Sequence, residues 1–176
     1  MLNFYFDMDG VLCNFDKKIQ QLKLNSVRNV PSSELTPEEK KQRKLFWEEI
    51  SKMGTDFWES IEPIKEVVEI LKYWKANYIV NFNILTKVPN DKLVHDFAIK
   101  GKENWLKKYF DKDFFTSINI IDKNKEIFCN DINDILIDDR DSNCMKWQQA
   151  GGTSILYKNP NQLNNAITSI VSWNDN

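Results

Sequence analysis

The spacing of apolar residues changes period along the chain, and the changes mark out short elements. Residues 2–7, Leu-Asn-Phe-Tyr-Phe-Asp, are rich in aromatic and apolar types and run into an acidic turn containing Gly10, the profile of a short buried strand. From about Asn14 to Glu59 the pattern is helical and polar. It predicts a weak helix near 15–24, a loop around Pro31-Ser32-Ser33, and a clear helix start at Thr36-Pro37-Glu38-Glu39. There Thr36 reads as the N-cap, Pro37 as the first helical residue and Glu39 as the capping-box partner. Leu45, Phe46, Ile50 and Met53 recur at helical spacing and carry this helix to about Met53.

Past Pro63, the positions Val67, Val68, Ile70, Leu71 and Trp74 give an amphipathic helix. Tyr78 to Leu85 follows as a strand ending at Thr86, and 90–109 as a further helix. The apolar runs 118–121 and 135–137 read as strands, the second ending in Asp138-Asp139. Asn143 to Ala150 suits a helix stopped by Gly151-Gly152, Thr153 to Tyr157 a strand, and Gln162 to Val171 a last helix.

Strands alternating with helices of this length predict an α/β fold, a parallel sheet with helices on both faces. Ligands of such sheets bind at the carboxyl ends of the strands, and three predicted strands end in Asp7, Thr86 and Asp138-Asp139. The expected organisation is a core of 1–13 and 60–176 with a small helical insertion at 14–59. No internal repeat or low-complexity tract interrupts it.

Composition narrows the function classes. A chain of 176 residues with 41% hydrophobic and 28% charged residues has the make-up of one soluble globular domain with an insertion, and no stretch approaches a membrane span. The N-terminal residues have no basic region or small-residue cleavage site, so a cytoplasmic setting is expected. Cys13, Cys129 and Cys144 are odd in number and widely spaced, which fits neither a disulfide framework nor a zinc site. A net charge of -2 gives no global field for nucleic acid, and stable nucleic-acid binding is not expected. The basic run Lys40-Lys41-Gln42-Arg43-Lys44 follows two glutamates on a helix and reads as a solvated face.

The candidate chemistry is acidic. Asp7 and Asp9, two apart at a strand end, can face one pocket where Gly10 lets the chain turn. By itself the pair fits a simple turn as well as a reactive site. A calcium loop fails on spacing, because its twelfth position needs a bidentate Glu and Lys18 stands there. Asp138-Asp139 after an apolar strand can bring three or four carboxylates around one hard cation such as magnesium, without which they would repel. A solvated loop with Asp141 as helix N-cap is the alternative for that second pair.

In order along the chain, Asp7-Met8-Asp9-Gly10-Val11, Leu85-Thr86, a Lys, and Ile137-Asp138-Asp139 resemble the four motifs of the haloacid dehalogenase (HAD) superfamily of phosphohydrolases. More narrowly, Ile135 to Asn143, then Trp147 and Ala150 to Leu156, resemble the 5'(3')-deoxyribonucleotidase family of cytosolic, type C-like pyrimidine nucleotidases. The similarity spans nearly the whole chain and is weakest in 18–50. It implies a Rossmann-like HAD fold in which 14–59 is the cap.

It further implies hydrolysis of nucleoside 5'-monophosphates, deoxyribonucleotides above all, with Mg2+ as cofactor. Asp7 would be the nucleophile, Asp9 the general acid and base, and Thr86 and Lys125 the phosphate-binding groups. The metal would lie between Asp7, the backbone carbonyl of Asp9 and the Asp138-Asp139 pair, with Asp139 favoured as direct ligand. Lys123 is the alternative to Lys125. Phe57 and Trp58 hold the place of an aromatic pair over the nucleobase, or else are helix-packing residues. Lys87 departs from the family, which carries Ser or Ala there, and so changes the contacts around phosphate or sugar.

Two other readings stand beside this one: a HAD phosphatase for another small phosphate ester or a polynucleotide 3'-phosphate, and a non-catalytic phosphoacceptor or binding module. The latter class orders its acidic residues differently along the chain. The expected partner is a small phosphate ester, no membrane, with a homodimer allowed. His95, the one histidine, reads as a surface residue, and Trp47, Trp74, Trp105, Trp147 and Trp173 as packing.

Overall fold

The computed structural model describes residues 1–24 and 33–174. Pro31 and Ser32 of the expected loop, and the side chain of Trp173, lie outside the described residues. The chain forms two compact units: Met1–Cys13, Pro63–Lys87 and Asp111–Asn176 make the first, Asn14–Glu62 and Val88–Phe110 the second.

The first unit is built on a parallel sheet of β1 (Asn3–Phe6), β2 (Asn81–Lys87), β3 (Ser117–Ile121), β4 (Asp134–Asp138) and β5 (Thr153–Leu156), in the order β3-β2-β1-β4-β5. Helices flank it, as expected. The central strand β1 has Phe6 opposite Ile84 of β2 and Ile137 of β4, and Asp7 N–H donates to Ile137 O at 2.9 Å. This register sets Asp7 level with Asp138 at the carboxyl end of the sheet.

Alternation along the strands sends Phe4, Phe6 and Phe82 to one face, where they make edge-to-face contacts, and Tyr5 to the other, where it meets Trp147. On that second face Leu85, Leu136 and Trp147 are fully buried together. Burying this much aromatic and aliphatic surface, about 1.5–3 kcal/mol for each large side chain, stiffens the strands that carry the acidic ends.

The remaining helices are numbered in chain order: α1 (Phe15–Gln21), α2 (Pro37–Met53), α3 (Thr55–Glu59), α4 (Lys65–Asn77), α5 (His95–Tyr109), α6 (Asp141–Gln149) and α7 (Pro160–Asn174). In the first unit, α4 meets α7 through Trp74 Nε1–H, which donates to Asn164 Oδ1 at 3.0 Å. β2 begins three residues later than expected. Tyr78 lies instead against Trp74, with centroids 4.3 Å apart, and Ile79 is 87% exposed.

The second unit is helical. The expected capping box opens α2: Glu39 N–H donates to Thr36 Oγ1 and Thr36 N–H to Glu39 Oε2. Its buried residues are Phe46, Trp47 and Ile50, while Leu45 is exposed, because a 100° step per residue centres the apolar face one position later than expected. α3 was too short for periodicity to reveal.

The expected insertion ended at 59 and left 88–110 in the core, whereas in the structure Val88–Phe110 joins the helical unit. Gly101 explains the difference: a Cβ there would stand 2.5 Å from Trp58 Cβ and 2.8 Å from Thr55 O, so its absence lets α5 close onto α3. Trp105 Nε1–H donating to Ile61 O at 2.7 Å and Asn104 to Glu59 at 2.9 Å secure the contact.

Candidate active site

The loop leaving β1 is a tight coil around one carbonyl. The N–H groups of Val11, Leu12 and Cys13 all donate to Met8 O, and Gly10 N–H donates to Cys13 O. Gly10 has φ +84, and a Cβ there would lie 2.3 Å from Asp139 Oδ2. A glycine is therefore needed twice, for its backbone angle and for the approach of Asp139.

Three carboxylates converge: ligand oxygens of Asp7, Asp138 and Asp139 all lie within 4.8 Å of one another, with Asp7 and Asp138 buried and Asp139 half-buried. Asp9 is not one of the three; its Oδ1 receives a weak contact from Cys13 Sγ at 3.7 Å.

Lys125 sits in a 3-10 turn (Lys125–Phe128) with 1% exposure, its Nζ 2.6 Å from Asp138 Oδ2 and 3.1 Å from Asp7 Oδ1. Burial alone would lower its pKa, but the two carboxylates outweigh it and hold the ammonium above its ordinary value. Lys123 is exposed. For Asp138, burial and the charge of Asp7 push the carboxyl up, against Lys125 and the Arg140 N–H.

Asp138 is held from every side. Arg140 N–H donates to its Oδ1 at 2.9 Å, and Asn143 Nδ2 stands 3.0 Å from both its oxygens. Asn143 was not among the expected site residues. Its signal in the sequence is an amide one helical turn after the acidic pair, on the helix that follows β4.

Thr86 is fully buried near the end of β2, and Lys87, the last residue of that strand, is half-buried. Burial and the charge of Lys125 lower the Lys87 pKa. In the helical unit, Phe57 and Trp58 are each 1% exposed, Phe57 edge-on to Phe15 at 5.6 Å and Trp58 against Gly101. His95 is half-buried, its Nδ1 3.0 Å from Asp96 Oδ1.

The donor set suits a hard divalent cation, being carboxylate oxygen throughout. Three carboxylates against the single ammonium of Lys125 leave an excess of two negative charges, which such a cation would offset.

The family model for the 5' nucleotidase, deoxy (pyrimidine), cytosolic type C protein matches residues 1–176. The chain belongs to this family. As a member of the type C nucleotidase family it is a phosphatase. No curated protein matches it by sequence.

Solved structures share the fold. A HAD-like family hydrolase from Porphyromonas gingivalis is 14% identical, with TM-score 0.56, covering 97% of this chain and 98% of that one. The HAD-hydrolase YfnB from Bacillus subtilis, solved bound to magnesium, is 13% identical, with TM-score 0.55 and coverages of 87% and 85%. A HAD family enzyme from Bacteroides thetaiotaomicron, solved with magnesium and inorganic phosphate, is 18% identical, with TM-score 0.51 and coverages of 90% and 94%. Among the described residues no helix is long and apolar enough to cross a membrane.

Proposed function

We propose that this chain is a magnesium-dependent phosphomonoesterase that hydrolyses nucleoside 5'-monophosphates, preferring deoxyribonucleotides, through an aspartyl-phosphate on Asp7. The observation that carries the reading is the convergence of Asp7, Asp138 and Asp139 at the sheet's carboxyl end with Lys125 bound between Asp7 and Asp138. The family match supports the nucleotide, and the magnesium bound in solved structures of the same fold supports the metal.

Asp7, the carbonyl of Asp9 and Asp139 would hold the cation, with Asp138 beside them. Asp138 already receives Lys125, Asn143 and the Arg140 N–H, which favours Asp139 for direct coordination. When bound, magnesium supplies positive charge that screens the phosphate from the anionic nucleophile.

The protein's own groups carry the chemistry. Met8 N–H donates to Asp7 Oδ1 at 2.8 Å, and Lys125 approaches the same oxygen, so the carboxylate is fixed in direction. An Asp7 oxygen attacks phosphorus, the bond from phosphorus to the ester oxygen breaks, and Asp9 gives its proton to the departing alkoxide. Water then attacks phosphorus, Asp9 takes a proton from it, and the Asp7 carboxylate and inorganic phosphate are released. Lys125 and the Thr86 hydroxyl stabilise charge on the phosphoryl oxygens.

The surfaces of Phe57 and Trp58 are taken up by packing, so stacking on a base requires ring surface to be uncovered. Trp58 Nε1–H is buried and has no acceptor among the described residues. A panel of deoxyribonucleoside and ribonucleoside 5'-monophosphates, sugar phosphates and 3'-phosphorylated oligonucleotides, assayed for phosphate release with and without magnesium, tests the reading. Release from sugar phosphates or oligonucleotides at the expense of nucleotides would move the substrate assignment to the rival class.

A further inference from the structure

The cation at the end of β2 has no role in the scheme above. Lys87 follows Leu85 by two residues, so its side chain leaves the sheet on the face where Leu85 meets Leu136 and Trp147, the face of Asp7 and Asp138. Phe6 pairs with Ile84, which places Lys87 two residues, about 6.6 Å, beyond the level of Asp7 on the neighbouring strand. A lysine side chain spans that distance.

The two lysines differ in what they touch. Lys125 is engaged by Asp7 and Asp138, so only part of its charge is left for a phosphate. Among the described residues no carboxylate lies within ion-pair distance of the Lys87 ammonium, although the residue is half-buried and close enough to Lys125 to feel its charge. Two like charges on one partly dehydrated face repel unless an anion joins them.

We infer that Lys87 is the second cation of the phosphate subsite, its ammonium holding a non-bridging oxygen of the substrate phosphate while Lys125 stays with Asp7 and Asp138. This rests on the phosphatase reading above and deepens it. The recognised chemistry is a phosphate dianion, and a compact ammonium on a flexible stem suits it as a point charge.

The test is calorimetric titration of inorganic phosphate into wild type, Lys87→Ser, Lys87→Met and Lys87→Arg at fixed magnesium, with thermal melts to show that each variant is folded. Phosphate affinity should fall by about tenfold or more in the Ser and Met variants and be largely kept in the Arg variant, and KM for p-nitrophenyl phosphate should rise by more than kcat falls. Binding within twofold of wild type in folded Lys87→Ser or Lys87→Met overturns the inference. Equal loss in the Arg variant overturns it too, since charge would then not be the cause. Because phosphate binding is read without turnover, a wild type that binds phosphate yet hydrolyses no monoester refutes the phosphatase reading and leaves the Lys87 comparison to be judged by affinity.

Discussion

The ammonium of Lys125 lies 2.6 Å from Asp138 Oδ2, with both side chains at or below 1% exposure, and the same ammonium reaches Asp7 Oδ1 at 3.1 Å. Lys125 therefore has a structural task, keeping two buried carboxylates on neighbouring strands from repelling each other, besides any task at the phosphate. Removing the one ammonium of this buried cluster costs about 3–5 kcal/mol because both carboxylates remain without compensation.

Lys125→Met keeps the aliphatic bulk and removes the charge. Without magnesium it should unfold at lower urea, a loss of about 3 kcal/mol, and added magnesium should recover part of it by taking over the compensation. The measurement is urea denaturation with and without the metal. An unchanged midpoint in the absence of metal would show that the carboxylates do not depend on this lysine.

Asp7→Asn separates chemistry from folding. The amide cannot act as the nucleophile, so turnover should fall by more than about 10⁴-fold. Because the substitution also removes a negative charge facing Asp138, the melting temperature should not drop. Substantial magnesium-dependent phosphate release by the folded variant would sink the assignment of Asp7. Asp9→Asn should likewise be severely impaired.

Gly10→Ala tests the coil after β1. The backbone there has φ +84 and the added methyl would fall 2.3 Å from Asp139 Oδ2. Both the backbone strain, about 1 kcal/mol or more, and the displaced carboxylate act in the same direction. Expected outcomes are a lower melting temperature and weaker magnesium binding by titration calorimetry; wild-type metal affinity would show that Asp139 is not a ligand.

The parts of this site that could be read from the sequence are those fixed by strand ends. Asp7 and Asp138 were legible because a short apolar run stops at each, and parallel pairing of such runs brings their ends together. Thr36 and Glu39 were legible because a capping box is local chemistry. The helical unit was harder. That α5 belongs with α3 depends on Gly101 admitting Trp58, a contact between residues 43 positions apart that leaves no periodic trace. Asn143 leaves little signal in the sequence for a similar reason: its amide matters only because Asp138 lies one turn away in space, with both oxygens facing it. The difference between Lys125 and Lys123 likewise lies in the turn, which buries one and exposes the other.

Two buried protons make stability fall at alkaline pH. Burial pushes the Cys144 thiol up to about 11, with a hydrogen bond involving Ser154 working against it, and burial with the charge of Glu66 pushes the Tyr157 phenol up to about 12. In the unfolded chain these groups lose their protons near 9 and 10. Between those values and the folded ones the native state binds more protons than the unfolded state, so stability declines as pH rises. The contribution is fully present below pH 9 and is lost through about pH 12. Melting temperatures measured from pH 8 to 11 should therefore fall, and the fall should be shallower in Cys144→Ala and Tyr157→Phe than in wild type. A wild-type profile that is flat over that range, or equally steep in both variants, would remove these two groups as its cause.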